Sequence, residues 1–398
     1  MIKLHSAPYK RVTVGLGLGS FLVFCNLYYF QPLLPFFMHT FNATEIQVNW
    51  LFSITTLAVA AALIPWAIIS EIYGRRLVML CSLVLIPIIN FLMFFSQDLS
   101  DLLVLRFLLG ISLAGFIAVA VAYMADEFEP QALLIAVGGY ISANSLGGIL
   151  GRIYGGVMTD FIGLKWTILS MSVLSFTALL FILPRISRQK HFTPQKGRFL
   201  HHNRQLLTHM RTPKILLATI IGGLNFAMFI NIYTVMAFKL SSPPLSLPAS
   251  ITSLIFLCYL AGTLSAKLSG RWTKKYSTTS GILAALGVCF SAIIIMSLQS
   301  LFSIVLGLLL LSGGAFFTHS LAYGFVGRNA LHGKSTATAL YLVMYYCGGS
   351  LGGFVLISCW QSGGWPMVFA ACAFTYLIMA ALTVYLSRKT QVIKTQYA

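Results

Sequence analysis

Stretch after stretch of roughly 20 predominantly apolar residues runs through this chain, the length a helix needs to cross the hydrocarbon core of a bilayer. A few charged or turn-forming residues separate each stretch from the next. Runs of this length between such breaks place membrane spans at 12–37, 46–70, 77–96, 101–124, 133–158 and 166–184. Six more fall at 215–238, 250–270, 279–298, 301–325, 336–358 and 366–387. The division at Leu298, Gln299 and Ser300 carries no charge and rests on length, because the run from Gly281 to Phe325 is too long for one crossing. With 58% hydrophobic and 9% charged residues, water is excluded as the main solvent.

The basic residues set the orientation. Lys and Arg crowd cytoplasmic loops, so the topology that collects most of them on one side is the expected one. With the N-terminus inside, 22 of the 26 fall in cytoplasmic segments, against Lys165 and Lys239 outside and Arg106 and Arg152 within spans. The expected fold is an all-α membrane protein of twelve transmembrane helices with both termini cytoplasmic. The net charge of +18 then marks loops facing membrane lipid, and no nucleic-acid partner is needed to explain it. The first span begins like a signal peptide, but its apolar run is too long for a signal core and no small-residue cleavage site follows; it is read as uncleaved. Seven cysteines scattered through apolar runs without paired spacing are read as small buried residues.

The segment 185–214 interrupts the hydrophobic rhythm with eight basic residues and four histidines, His191, His201, His202 and His209. It divides the chain into a six-helix bundle at 1–184, a basic cytoplasmic linker at 185–214 and a second bundle at 215–398. The histidines lack acidic or cysteine neighbours at ligand spacing, which favours a solvated linker on anionic headgroups over a metal site. The two halves also match at a shift of 205 residues. Asn26-Leu27-Tyr28 becomes Asn231-Ile232-Tyr233, and Tyr140 with Ser145-Leu146-Gly147-Gly148 becomes Tyr345 with Ser350-Leu351-Gly352-Gly353. Two separate matches on one shift point to an internal repeat, the sequence trace of transporters built from paired, pseudo-symmetric bundles.

Between the second and third spans stands Ser70-Glu71-Ile72-Tyr73-Gly74-Arg75-Arg76. Gly74 permits a tight turn, and Glu71 can sit near the positive end of another helix, so the loop suits a conformational latch. It resembles the signature loop of the major facilitator superfamily, with Glu71 for the usual aspartate and Ala67 for the usual leading glycine. Its expected partners are Asp126 and Glu127 at the end of span 4 and Ser335 and Thr336 at the start of span 11. Arg106-Phe107-Leu108-Leu109-Gly110 is similar to the superfamily's arginine-then-glycine pattern in the fourth helix. An arginine in a span needs water or a partner, or else must snorkel to the headgroups, and both remain open for Arg106.

In span 5, Gly147, Gly151 and Gly155 recur every four residues and line one helix face, allowing a close helix approach at either a sliding bundle interface or a static seam. The stretch resembles the glycine-rich fifth-helix motif of superfamily exporters, without its usual proline. Together with Phe192 to Lys196 and His319-Ser320-Leu321-Ala322, it looks closest to the acriflavine-sensitivity (YnfM-type) subfamily of bacterial efflux carriers. The resemblance covers nearly the whole chain and implies secondary active transport by alternating access, with proton-coupled efflux of small molecules. Import of a sugar-like metabolite is the alternative.

All eight acids lie within the first 160 residues, near loops or span ends. Export of a cation against protons commonly uses an intramembrane carboxylate, and none stands mid-span. The deeper ionisable groups are Arg106, Arg152 and His319, which favour a neutral or anionic cargo, in conflict with the cationic dyes of the subfamily name. Histidine alone has an ordinary pKa near neutrality, so His319 could carry a coupling proton or simply pack. The expected substrate pathway is Asn26, Tyr28, Gln31, Arg106, Arg152, Asn231, Tyr233 and His319. Asn26 and Tyr28, two apart on a helix, face different ways. No paired carboxylates, metal cluster or activated nucleophile speaks for an enzyme, no charged ring for a channel, and no Gly-x-x-x-x-Gly-Lys loop for ATP drive. The chain is expected to work as a monomer without cofactors.

Overall fold

The computed structural model describes residues 1–192, 206–330 and 333–396, with the side chains of Ser335 and 390–396 left aside. Linker residues 193–196 together with Arg198, His201, His202 and Arg204 lie outside the described residues. Within them, eleven stretches are long and apolar enough to cross a membrane.

The first part of the chain forms α1 (Ala7–Tyr28), α2 (Leu34–Phe41), α3 (Glu45–Tyr73), α4 (Arg75–Met93), α5 (Leu99–Glu127), α6 (Pro130–Ile162) and α7 (Leu164–Ile182). The second forms α8 (Pro213–Ser241), α9 (Ala249–Ser253), α10 (Tyr259–Lys275), α11 (Thr278–Met296), α12 (Leu301–Asn329) and α13 (Lys334–Gln396). Side-chain caps fix several starts. Thr44 and Gln47 form a capping box on α3, and Asp98 accepts the Asp101 amide at 2.9 Å to open α5. At the uncharged division near residue 299, Ser300 caps α12 by accepting the Ser303 amide at 3.0 Å, and Gln299 turns the chain with φ +57°.

Three expected spans have different outlines. The first, read as 12–37, is helical only to Tyr28; a 3-10 turn over Gln31–Leu33 and the short α2 follow. Pro32 and Pro35 lack the amide donor that a continuous ladder needs. The last two, read as 336–358 and 366–387, are joined through one helical stretch whose backbone leaves helical values at Gly363 and Gly364, just before Pro366.

Two compact units result, each with its own packing. One comprises Met1–Arg198 and Ala237–Leu254, the other Phe199–Met236 and Ile255–Ala398. In the first unit α3 and α4 pack on α5, α4 on α7, and α1 on α6. The glycine face of α6 is the seam with α1: a Cβ at Gly147, Gly151 or Gly155 would run into the backbone of Phe21, Cys25 or Tyr29 in turn. The seam joins two helices of a single unit and is not an interface between bundles. At the far end of α6, Asp160 accepts the Ser250 amide at 2.7 Å, and Gly156 leaves room for Ala249 and Ser253. In the second unit α10 and α11 pack on α12, and both α11 and α12 on α13. Phe161, Phe302 and Leu134 are among many large apolar side chains on the outside, as lipid-facing helices require.

Candidate functional site

α1 ends inside the unit at Tyr28, which leaves carbonyls of its last turn without amide partners. Arg106 of α5 supplies them. Its Nη1 and Nη2 donate to the Asn26 and Leu27 carbonyls at 3.1 and 3.2 Å, and its Nε donates to the Leu51 carbonyl of α3 at 3.0 Å. The guanidinium also stands 4.5 Å from the centroid of the Phe30 ring. A cation at the negative end of a helix is favourable, and a fully buried one needs every such contact. Arg106 is 0% exposed, so it has not snorkelled to the headgroups.

Tyr28, Gln31 and Arg152 come together beside it. Arg152 Nε donates to Gln31 Oε1 at 2.8 Å, Nη1 donates to the Gly148 carbonyl at 2.7 Å, and the guanidinium lies 3.9 Å from the centroid of Tyr28. Asn26 faces the other way, as its spacing from Tyr28 requires. Its amide donates to Ser175 Oγ at 3.1 Å, while Asn90 Nδ2 donates to its Oδ1 at 2.7 Å. Tyr29 Oη completes this buried network by donating to Asn90 Oδ1 at 2.8 Å. Asn90, Tyr29 and Ser175 were not singled out from the sequence; a buried asparagine within an apolar run was the available signal.

The second unit answers with aromatic rings. Asn231 Nδ2 donates to the Gly349 and Ala227 carbonyls at 2.7 and 2.8 Å. Tyr233 pairs its hydroxyl with Ser312 Oγ at 2.7 Å and stacks on Phe256. His319 sits among Tyr323, Tyr341 and Tyr345. Asn231, Tyr233 and His319 are thus in separate local settings within this unit.

The α3–α4 turn is held from several sides. Gly74 has φ +103°, which a side chain would strain. Arg75 reaches Asp126 at 3.3 Å and Glu71 at 3.7 Å, and Nη1 donates to Ser70 Oγ at 2.7 Å. Arg76 instead binds the start of the linker: Nε donates to the Ile186 carbonyl at 2.9 Å, and its amide to Gln189 Oε1 at 3.1 Å. Glu127, expected beside the arginines, accepts the Lys190 and His191 amides at 2.8 and 3.0 Å. The Ser335 side chain, an expected partner, lies outside the described residues. Among the described residues no group of three or more His, Cys, Asp or Glu could hold a metal. The seven cysteines are free thiols.

The sequence model described as Major Facilitator Superfamily matches residues 16–353. The chain belongs to this superfamily. It is 29% identical over 390 residues to the "Uncharacterized MFS-type transporter YybF" of Bacillus subtilis (strain 168), covering 98% of this chain and 96% of that protein. It is 30% identical, also over 390 residues, to the "Inner membrane transport protein YnfM" of Escherichia coli (strain K12), covering 98% and 93%. This superfamily member therefore stands close to the YnfM group and is a multi-pass membrane protein. Among solved structures, that of the human organic anion transporter MFSD10 superposes with a TM-score of 0.70 at 18% identity, covering 95% of this chain and all of the other; it speaks for the fold.

Proposed function

We propose that the chain is a secondary active exporter of small neutral or anionic solutes, driven by protons and working by alternating access in a bacterial inner membrane. It is not an enzyme, and it acts as a monomer without nucleic acid. The observation that carries the choice of cargo is electrostatic. Arg106 and Arg152 are 0% and 1% exposed among the helices of the first unit, while all eight acids lie near helix ends and loops. Charges in a low-dielectric interior act over longer distances than in water, so the pathway favours anions and disfavours cations.

In this reading the break at Gly363 and Gly364 separates the last two of twelve spans, both termini are cytoplasmic, and the chain forms two pseudo-symmetric six-helix bundles, 1–184 and 215–398, around the linker 185–214. Asn26, Tyr28, Gln31, Arg106, Arg152, Asn231, Tyr233 and His319 serve the pathway, with Arg106 acting by holding the end of α1. Glu71, Gly74, Arg75, Arg76, Asp126 and Glu127 form the cytoplasmic latch, and His319 carries the coupling proton. The test is flux of matched anionic, neutral and cationic solutes in proteoliposomes with and without an imposed pH gradient. Gradient-driven outward movement of anionic or neutral solutes is expected. Flux indifferent to the gradient removes proton coupling, accumulation in the opposite direction makes the chain an importer, and preferred cationic cargo removes the charge argument.

A further inference from the structure

The surroundings of His319 point to a particular kind of cargo. Tyr341 Oη of α13 lies 3.0 Å from Nδ1 of His319 and 3.4 Å from the histidine's own carbonyl. That carbonyl, inside α12, also faces the amide four residues on, and the hydroxyl proton is assigned to the nearer nitrogen. A neutral imidazole that accepts at Nδ1 carries its proton at Nε2 and is a donor there. His319 is half-buried, and among the described residues its ring hydrogen bond is made at Nδ1 and not at Nε2. Around the ring stand three tyrosines, with centroids 4.5 Å (Tyr345), 5.4 Å (Tyr341) and 6.0 Å (Tyr323) away. Phe226 backs Tyr345 at 3.8 Å, nearly parallel, and Gly222 leaves the room that the Tyr341 ring fills.

We propose that this tyrosine box binds a planar aromatic solute bearing a carbonyl or carboxylate next to its ring, with His319 Nε2–H donating to that oxygen and Tyr341 as the positioning residue. A tyrosine box by itself also suits a cation. The imidazole N–H at its centre selects against one, because a donor meets a cation with like polarity. The inference rests on the transporter reading and adds to it the substrate class and the residue that sets the histidine tautomer.

The experiment measures binding of 2-naphthoate, 2-naphthamide, 2-naphthylmethylammonium and decahydro-2-naphthoate to the purified full chain in nanodiscs. Naphthoate and naphthamide should bind, the ammonium about tenfold more weakly, and the saturated acid more weakly than its aromatic counterpart, the scale of one hydrogen bond or ring contact. His319→Ala should erase the preference for carboxylate over ammonium, and His319→Gln, which keeps a donor, should restore part of it. Tyr341→Phe should weaken naphthoate about tenfold. In ¹⁵N NMR of histidine-labelled protein it should also move the His319 proton from Nε2 toward Nδ1, a change that loosened packing alone does not produce. Gly222→Ala should reproduce both effects by displacing the tyrosine. Tightest binding of the ammonium, or a wild-type proton on Nδ1, overturns the proposal. Probes bound as expected but not carried across proteoliposomes uphold the site and overturn the transporter reading; probes carried equally well by His319→Ala overturn the site and uphold transport.

Discussion

Asn26 and Asn231 hold matching places in the two halves of the chain, yet their neighbours have little in common. Each asparagine donates back to the carbonyl four residues earlier, Leu22 and Ala227. Around Asn26 the chain has gathered Asn90, Ser175 and Arg106. At the 205-residue shift, Arg106 and Arg152 correspond to Leu311 and Ile357, both fully buried and apolar. Two helix lengths nevertheless agree across the shift: α4 and α11 have 19 residues each, and α5 and α12 have 29 each. Helix length answers to bilayer thickness, a constraint shared by both halves, whereas buried polar groups answer only to their own partners. Helix lengths can therefore agree where the buried chemistry does not.

The sharpest way to break the comparison is to give the first half the second half's residue. Arg106→Leu removes three charge-assisted hydrogen bonds of about 1.5–3 kcal/mol each, and proteoliposome flux should fall more than about 100-fold. The reciprocal Leu311→Arg, which places a charge at a fully buried apolar position, should fail to accumulate in membranes at all. Second in size is the α1–α6 seam. Gly151→Val should cost about 1–3 kcal/mol or more and lower the melting temperature in detergent, whereas Val at Gly138, where a side chain meets open space, should be tolerated. Glu127→Gln should weaken its hold on the linker by about 1 kcal/mol, read as roughly fivefold faster hydrogen exchange at the Lys190 and His191 amides. The smallest structural effect belongs to Glu71→Gln. Its i,i+4 pair with Arg75 is 3.7 Å long and partly exposed, so stability should change by less than about 0.5 kcal/mol. A large loss of flux in that variant, at normal expression, marks Glu71 as part of a latch that works between conformations.

Much of the frame was legible because periodicity and length are local properties. Twelve spans were expected and eleven apolar stretches are found among the described residues, the last two expected spans falling in one; the turn at Gly74 and even the uncharged division at residue 299 followed from run lengths and turn residues. The broken end of α1 did not, since two prolines in an apolar run read as part of one span until the partner that caps the free carbonyls is known. Tyr28, Gln31 and Arg152 were named separately and meet in space. Asn90, Gln189 and Tyr341 went unnamed because their importance comes from what lies opposite them on other helices, and a single chain carries no record of that pairing. Glu127 was expected beside the arginines and instead holds linker amides, because which of two adjacent acids meets the arginine depends on helix phase at a terminus.

The seam along Gly147, Gly151 and Gly155 has a mechanical consequence. Three missing side chains in register form a slot, and the backbone of α1 lies in it like a key, touching at Phe21, Cys25 and Tyr29. A keyed joint cannot spin: turning α6 about its own axis drives neighbouring side chains into α1. The seam therefore resists rotation of α6 against α1 over this stretch, and the same helix goes on to hold the Ser250 amide through Asp160.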